Sequence, residues 1–590
     1  MSTLRRIGIR PRAALAARPP SLPAGVATRR ARLLTSCLAL PLLWLATPAA
    51  AQLELPGGSG PPAPSGGTGP GSAGASAGPL PRPGEPGFGF MPLPDATVRL
   101  GTLGFPYGAT AAPFQASSGL SLVPSLTVQQ SYNDNIRATA RNHTYDYITS
   151  VIPGLLLNVD TQLVQGTVNY APNLQYYWRN TDQNRTDQRF NGRLLGTLVP
   201  DTLFLDLRGS SAVSTLSGTT TSNTQTTGTR DDRLTTTSYS VSPYLVQRFG
   251  GFATAQLGYV FQSVNEDAAS RQQLVNGVPV NFNSQDFTSN EVYFSARSGE
   301  DFGRLAFLFN ASAREYDGSG VLDGAYRNIV TLETRYAITP TIAVLGEVGY
   351  QDQEYNSTPR IVINEGIWAV GLRLVPNEGD VVLLRYGHRD GFNSASVDAN
   401  VGVGVRTRLF ARYSDQLSTS AQRAGDLLAT TTVDALGNPV DALTGAPVSQ
   451  PFADSPLSAQ GGVLRIKAGT VSLTQVWERD TFTLAATYED RTPVAATTGS
   501  TAQGQTSLYG TFSWARELGP RTSTINSFQY GVSEASVTGD TTRTSFSSAL
   551  VHQLTETVSG TLTYRLSSRG SNPDNRVIQN VILAGVRKTF

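Results

Sequence analysis

The chain contains very little cysteine, methionine or histidine. Its 590 residues include one Cys, two Met and three His. A scaffold held by disulfides is therefore excluded, and an intracellular enzyme of this length would usually carry more of all three residue types. Charged residues make up 15% of the chain, against about 25% in an average globular protein. The formal net charge is only +2, which disfavours a nucleic-acid-binding protein with a basic face.

Long hydrophobic runs are also scarce, which excludes a helical membrane transporter, because only one stretch approaches the length of a spanning helix. Residues 1–32 contain eight Arg and no acidic residue, and an apolar run follows from Leu33 to Ala46. Small residues, Ala49 to Ala51, then mark a cleavage site. This order predicts a secretory signal peptide over residues 1–51, with an uncleaved membrane anchor as the alternative. Its removal would change the formal net charge from +2 to −6.

Residues 52–118 are dominated by Gly, Pro, Ala and Ser. Such a composition cannot bury enough apolar surface to offset the conformational entropy that ordering would cost. We therefore predict a disordered periplasmic tail rather than a domain.

The remaining residues, 119–590, alternate apolar and polar side chains with a period of two. In one segment Leu562 and Tyr564 alternate with Thr561, Thr563 and Arg565, a pattern typical of half-buried strands. Short turns alternate with longer polar loops, and many strands end in Tyr, as in outer-membrane barrels. We predict an all-β fold: one large transmembrane antiparallel β-barrel of about 22 strands, with 18 to 22 compatible with the pattern. An array of soluble β-sandwich domains is the alternative.

The predicted last strand carries a second indication of a barrel. Gly585 precedes the final aromatic residue, Phe590, by five positions. This spacing resembles the terminal signal that the outer-membrane barrel assembly machinery recognises. The expected partners are therefore that machinery and outer-membrane lipid, and the expected location is the outer membrane of a Gram-negative bacterium.

Two short motifs add a resemblance to a family. Ser131-Tyr-Asn-Asp-Asn-Ile136 and Ile152-Pro-Gly-Leu155 resemble the opening of the β-barrel porin-2 type of bacterial outer-membrane protein. The resemblance covers residues 120–590 and implies the fold and the location. It also suggests transport, and it suggests exopolysaccharide as a candidate substrate, because some members of that group accompany exopolysaccharide gene clusters.

Charged residues on the polar side of the predicted strands are candidate pore-lining residues: Arg314, Glu347, Glu489 and Arg565. Such side chains belong in a wet lumen. The only Lys are Lys467 and Lys588, so Arg dominates the basic residues, and its guanidinium fork suits carboxylate or phosphate. An anion-selective pore and a simple bias of genome composition both fit this observation.

Two loops are candidates for narrowing the pore. The third outer loop, about Thr215 to Leu234, ends in a candidate constriction formed by Arg230, Asp231, Asp232 and Arg233. The longest loop runs from about Thr419 to Lys467, and loops of that length are usually functional or disordered. Barrels of about 22 strands are normally plugged. We therefore expect the long loop, the third loop or the N-terminal tail to occlude the lumen.

The sequence predicts no enzyme, metal site or cofactor. His143, His388 and His552 share no spacing that would hold a metal, and no Gly-rich phosphate loop opens a helix. A hydrolase site at the barrel rim near His388 is the weaker alternative.

These features together predict a channel or export pore for polar solutes, including polysaccharide, with no role for nucleic acid. A non-transporting scaffold or surface adhesion barrel is the alternative. An energised metal-chelate transporter would need a folded plug longer than residues 52–118 can provide.

Overall fold

The computed structural model describes residues 119–215, 233–268, 272–275, 278–281, 286–377, 380–433, 439–441, 460–497, 502–535, 540–570 and 576–590. The predicted signal peptide (1–51) and tail (52–118) lie outside these residues and stay predictions. The description begins at the first strand of the predicted barrel.

Antiparallel strands make up nearly all of the described chain. One sheet contains 24 strand segments, which form 22 strands because two of the strands are each interrupted by a short break. The prediction of about 22 strands is thereby confirmed. The strands are β1 (Gly119–Asn133), β2 (Asp146–Asp160), β3 (Val164–Tyr170 and Asn173–Tyr177), β4 (Arg185–Asp187 and Phe190–Val199), β5 (Leu203–Thr215), β6 (Arg233–Phe249), β7 (Ala253–Ala268), β8 (Phe287–Ser298), β9 (Leu305–Gly318), β10 (Tyr326–Ala337), β11 (Ile342–Tyr355), β12 (Ile361–Leu374), β13 (Val381–Arg389), β14 (Phe392–Gly402), β15 (Thr407–Ser418), β16 (Gly462–Val476), β17 (Asp480–Ala496), β18 (Gln505–Gly519), β19 (Thr522–Ala535), β20 (Thr541–Gln553), β21 (Val558–Gly570) and β22 (Val577–Thr589).

The sheet closes on itself. β22 pairs with β1 in antiparallel register, from Ser125 opposite Thr589 to Asn133 opposite Val581. Every other strand pairs with its two neighbours in chain order. Closure removes the free sheet edges whose backbone groups would otherwise need partners.

Short turns connect the strands at one end of the barrel. Most connections at the other end are longer, although only Asp390 and Gly391 join β13 to β14 there. Residues 403–406 separate β14 from β15. In the part of the chain that the structure describes, the longer connections contain one α-helix, α1 (Ser420–Thr430), and 3₁₀ turns at Thr181–Gln183 and Gly320–Leu322. They also contain two short hairpins, Gln272–Val275 with Val278–Asn281 and Thr431–Val433 with Pro439–Asp441. Within the described residues, no helix is both long and apolar enough to cross a membrane.

The two faces of the barrel wall have opposite polarity. Outward side chains are large and apolar and remain exposed, as at Leu332, Val348 and Leu562. Many inward side chains are polar and buried, including Ser295 and Gln351. A water-soluble protein buries apolar side chains, so this inverted arrangement fits a barrel that is surrounded by lipid and encloses polar groups.

The motif at Ser131–Ile136 lies where the barrel closes. The Asp134 carboxylate accepts hydrogen bonds of 2.7 Å from the main-chain N–H and from the side-chain amide of Asn580. Asn135 donates its side-chain amide to the Ile578 carbonyl at 3.0 Å, and Gln579 donates to the Asn135 carbonyl at 2.6 Å. The motif therefore extends the contact between β1 and β22 beyond the last paired residues, Asn133 and Val581. Asp134 and Asn135 of the motif thus have a structural role.

Candidate functional site

The four predicted pore-lining residues all lie on the inner side of the barrel wall. Arg314 is on β9, Glu347 on β11, Glu489 on β17 and Arg565 on β21. Each shares its side of the strand with buried polar residues, and the alternate positions point outward. Contact between these residues and a solute stays a prediction.

Three arginine–carboxylate pairs cross between inward side chains on neighbouring or nearby strands. The Arg314 Nε lies 3.0 Å from Glu291. Arg389 reaches Glu347 at 2.6 Å, and Arg385 reaches Glu333 at 2.7 Å. A half-buried charge is costly unless an opposite charge and hydrogen bonds compensate it. These pairs therefore make a charged inner wall compatible with a folded barrel.

Helix α1 follows β15 and lies inside the barrel. It contacts β5, β6 and β7. These strands lie nearly across the barrel from β15, because β15 and β6 are nine strands apart and directly opposite strands in a 22-stranded barrel are eleven apart. The helix packs closely against β7. A Cβ atom added at Gly425 of α1 would lie 2.6 Å from the side-chain amide nitrogen of Gln262 on β7. The first part of the longest loop therefore crosses the lumen.

The N-terminus of α1 is held by a reciprocal capping arrangement. The main-chain N–H of Gln422 donates to the Thr419 hydroxyl, and the main-chain N–H of Thr419 donates to the side-chain carbonyl of Gln422, both at 3.1 Å. This is the capping-box pattern of a Thr followed three residues later by a Gln. It explains why a helix begins directly where β15 ends.

Ten buried residues form an apolar cluster between α1, strand ends and the outer turn Ser319–Ala325. The side chains of Val321 and Leu322 in that turn are completely buried. We call α1 together with the outer turn Ser319–Ala325 the inner plug. The cluster consists of Val264, Phe287, Tyr316, Val321, Leu322, Ala325, Tyr355, Leu417, Ala421 and Val463. An apolar core within a polar lumen fixes the inner plug against the strands, because apolar surface is removed from water there.

A charged contact attaches the inner plug to β17, two strands along the sheet from β15. Arg423 on α1 reaches the Glu489 carboxylate at 2.5 Å, and Arg491 on β17 reaches the same oxygen at 2.8 Å. Glu489 and Arg491 are both buried. The Tyr355 hydroxyl also lies 3.5 Å from the side-chain oxygen of Gln422. Glu489, selected from the sequence as a lumen residue, therefore holds α1.

The predicted third-loop constriction is only partly within the described residues. Arg230, Asp231 and Asp232 lie outside them. Arg233 is the first residue of β6 rather than a loop residue, and its guanidinium lies 2.7 Å from the Asp187 carboxylate. A buried arginine tied to a strand residue belongs to the wall, so the loop boundary drawn from the sequence extended too far.

Comparisons with known proteins find likeness only in three-dimensional structure. No family model and no curated protein sequence matches the chain. The siderophore receptor PirA from Acinetobacter baumannii is similar with a TM-score of 0.45 and 9% identity, over 81% of each chain. The FrpB iron transporter from Neisseria meningitidis (F3-3 variant) gives 0.42 and 10%, over 80% of this chain and 81% of that chain. Pseudomonas aeruginosa OccK5 (OpdH) gives 0.30 and 9%, over 80% and 98%.

TM-scores and identities this low show nothing about what this chain binds or transports. The geometry of the barrel indicates its location. The sheet is closed and antiparallel, has an even number of strands, and has an apolar outer face and a polar interior. Proteins that span bacterial outer membranes have this structure. The chain is an outer-membrane β-barrel.

His388, the histidine of the rim alternative, is held between two acceptor side chains. His388 lies with one ring nitrogen 2.7 Å from the Asn393 side-chain oxygen and the other 3.2 Å from Glu365. Both nitrogens therefore face acceptors rather than a Ser or Thr hydroxyl. Among the described residues, no group of three or more His, Cys, Asp or Glu side chains is arranged to hold a metal ion.

The residues of the predicted assembly signal lie at the barrel seam. Gly585 is opposite Gln129 of β1, and a Cβ atom there would lie 2.7 Å from the Gln129 side chain. The main-chain N–H of Phe590 donates to the Pro124 carbonyl at 3.0 Å. The Lys588 ammonium lies over the Phe590 ring, 4.9 Å from its centre. Recognition by the assembly machinery stays a prediction.

Sequence reasoning missed two components of the inner plug. The capping box Thr419–Gln422 was a readable signal for α1. The outer turn Ser319–Ala325 carried only a short apolar pair, Val321 and Leu322, and nothing local indicates that it folds inward.

Proposed function

We propose that this outer-membrane barrel is a channel for polar solutes whose inner plug limits passage. The observation that carries the proposal is α1 inside the lumen, which reaches β5, β6 and β7 on the far side and is attached to β17 through Arg423 and Glu489. The paired arginines and carboxylates of the inner wall would offer polar contacts along the path.

The direction of transport and the identity of the solute extend this proposal. The resemblance to the β-barrel porin-2 type supports export or uptake of polar solutes, with exopolysaccharide as one candidate. The position of the gene would test that part: a neighbouring polysaccharide synthase favours export, and a catabolic operon favours uptake.

The decisive experiment is single-channel conductance in a planar bilayer. Arg423→Ala removes the helix side of the contact and leaves the Arg491–Glu489 pair in place, so we expect a several-fold increase in the open fraction. Deletion of residues 423–456 should raise the conductance further. Arg389→Ala is a matched control, because it breaks a wall pair with Glu347 that does not involve the helix.

The outcomes separate the channel from the non-transporting scaffold. A channel is supported if Arg423→Ala opens the barrel and Arg389→Ala leaves the open fraction unchanged. A barrel that stays closed to ions and to sugars even after the deletion would be a scaffold or adhesion protein.

A further inference from the structure

A cluster of aromatic side chains lies on the outward face of the barrel at the outer ends of the first three strands. Tyr132 on β1 is directly opposite Tyr147 on β2, with ring centres 5.3 Å apart. Trp178 follows β3, and its ring centre lies 6.1 Å from that of Tyr147. Tyr145, just before β2, lies 6.1 Å from Tyr132. We call Tyr132, Tyr145, Tyr147 and Trp178 the aromatic patch.

The aromatic patch is exposed and lies on the lipid side of the wall. The exposed fractions are 66% for Trp178, 44% for Tyr147 and 43% for Tyr145. Tyr132 shares its strand face with the outward residues Leu126 and Val128. The patch therefore continues the apolar outer surface upward, to the level where amphipathic rings meet lipid headgroups.

Hydrogen bonds to Asp146 and Thr149 hold part of the aromatic patch in a fixed geometry. The completely buried Asp146 carboxylate accepts hydrogen bonds from the main-chain N–H groups of Trp178, Arg179 and Asn180, at 3.1, 3.0 and 2.8 Å. The Trp178 indole N–H donates to the Thr149 hydroxyl at 2.9 Å. Side chains held this way lose little further freedom when a ligand binds, which favours binding.

An exposed arginine lies against the aromatic patch. The Arg179 guanidinium lies over the Tyr145 ring, 4.2 Å from its centre, and Arg141 is exposed on the same loop as Tyr145. The nearby carboxylates already have partners: Asp146 accepts from main-chain N–H groups, Asp134 accepts from Asn580, and Asp182 pairs with Arg137 at 3.4 Å. Arg179 therefore presents an exposed guanidinium beside aromatic faces, and a guanidinium suits phosphate.

We propose that the aromatic patch with Arg179 is a binding site for the phosphorylated glucosamine headgroup of outer-leaflet lipopolysaccharide. The patch lies where that headgroup lies, aromatic rings stack on sugar faces, and the guanidinium groups pair with its phosphates. An exposed arginine at the membrane surface attracts anionic headgroups. This site is outside the lumen and is independent of transport.

The test is native mass spectrometry of the detergent-purified barrel with bisphosphorylated lipid A and with dephosphorylated lipid A. The double variant Trp178→Ala/Arg179→Ala should bind bisphosphorylated lipid A at least ten-fold more weakly than the parent. The control variant Trp368→Ala/Tyr386→Ala removes another outward aromatic pair, on β12 and β13, and should bind it as the parent does. The parent should bind the dephosphorylated form at least ten-fold more weakly.

Equal binding by the parent and the double variant would overturn the proposal. So would an equal loss in the control variant, or indifference to the phosphates, since both would indicate an unspecific lipid belt. Heat-modifiable electrophoretic mobility checks that each variant is folded. If the double variant fails this check, Arg179→Ala alone, which removes no packing from the strands, takes its place with the same expected direction.

Discussion

Single polar side chains carry much of the barrel's specific structure. Asp134 closes the seam with Asn580, Asp146 fixes the second outer loop, and Glu489 attaches α1. The sequence placed Glu489 on the inner side through its parity along the strand. Its partner Arg423 could not be predicted, because the contact joins residues 66 positions apart through a helix whose path across the lumen no local pattern reveals.

At the residue scale, we expect Asp134→Ala to weaken the seam. The change leaves both Asn580 donors without their acceptor, at a cost of about 1–3 kcal/mol each if they remain unsatisfied and less if water replaces the carboxylate. The measurement is urea unfolding of the barrel in detergent or liposomes. Asp317→Ala on β9 is the control, because Asp317 is exposed. If the urea midpoint of Asp134→Ala equals that of the parent, Asp134 does not stabilise the β1–β22 seam.

At the element scale, the strands were predictable. The long loop was one of three predicted candidates for occluding the lumen, but its helix α1 and the turn Ser319–Ala325 were not predicted. Apolar and polar side chains alternate with a period of two along each strand, so the approximate strand count could be read directly from the sequence. The inward fold of Ser319–Ala325 and α1 depends on side chains from seven strands or turns that meet only in the closed barrel. Long-range packing of this kind leaves no periodic signal.

The capping box at the start of α1 gives a prediction for that element. Thr419→Ala removes the hydroxyl that accepts the Gln422 N–H, which should destabilise the helix by about 1 kcal/mol. The expected result is a larger open fraction in single-channel recordings. Thr419→Ser keeps an equivalent hydroxyl and should behave as the parent; if Ser and Ala variants gate alike, the cap has no part in holding the inner plug.

At the scale of the whole molecule, an outer-membrane barrel must present its apolar face to lipid. Leu562 lies midway along the outward apolar stripe of β21, and Thr561 is its inward neighbour. Arg on the lipid face of a barrel costs roughly 2–4 kcal/mol near the bilayer midplane. We therefore expect Leu562→Arg to destabilise the barrel in liposomes by about that amount and Thr561→Arg to cost much less, as measured by urea unfolding. Equal effects would mean that the two faces do not differ in environment.

The most direct measurement is a spin-label scan of β21 in liposomes, with single cysteines at residues 561 to 564. Cys37, the only native cysteine, is replaced by Ser for this purpose. The account predicts that dissolved oxygen, which concentrates in lipid, relaxes labels at Leu562 and Tyr564 most strongly, whereas a water-soluble nickel chelate favours positions Thr561 and Thr563. A loss of this alternation, or the opposite phase, would contradict an outer-membrane barrel with its apolar face toward lipid.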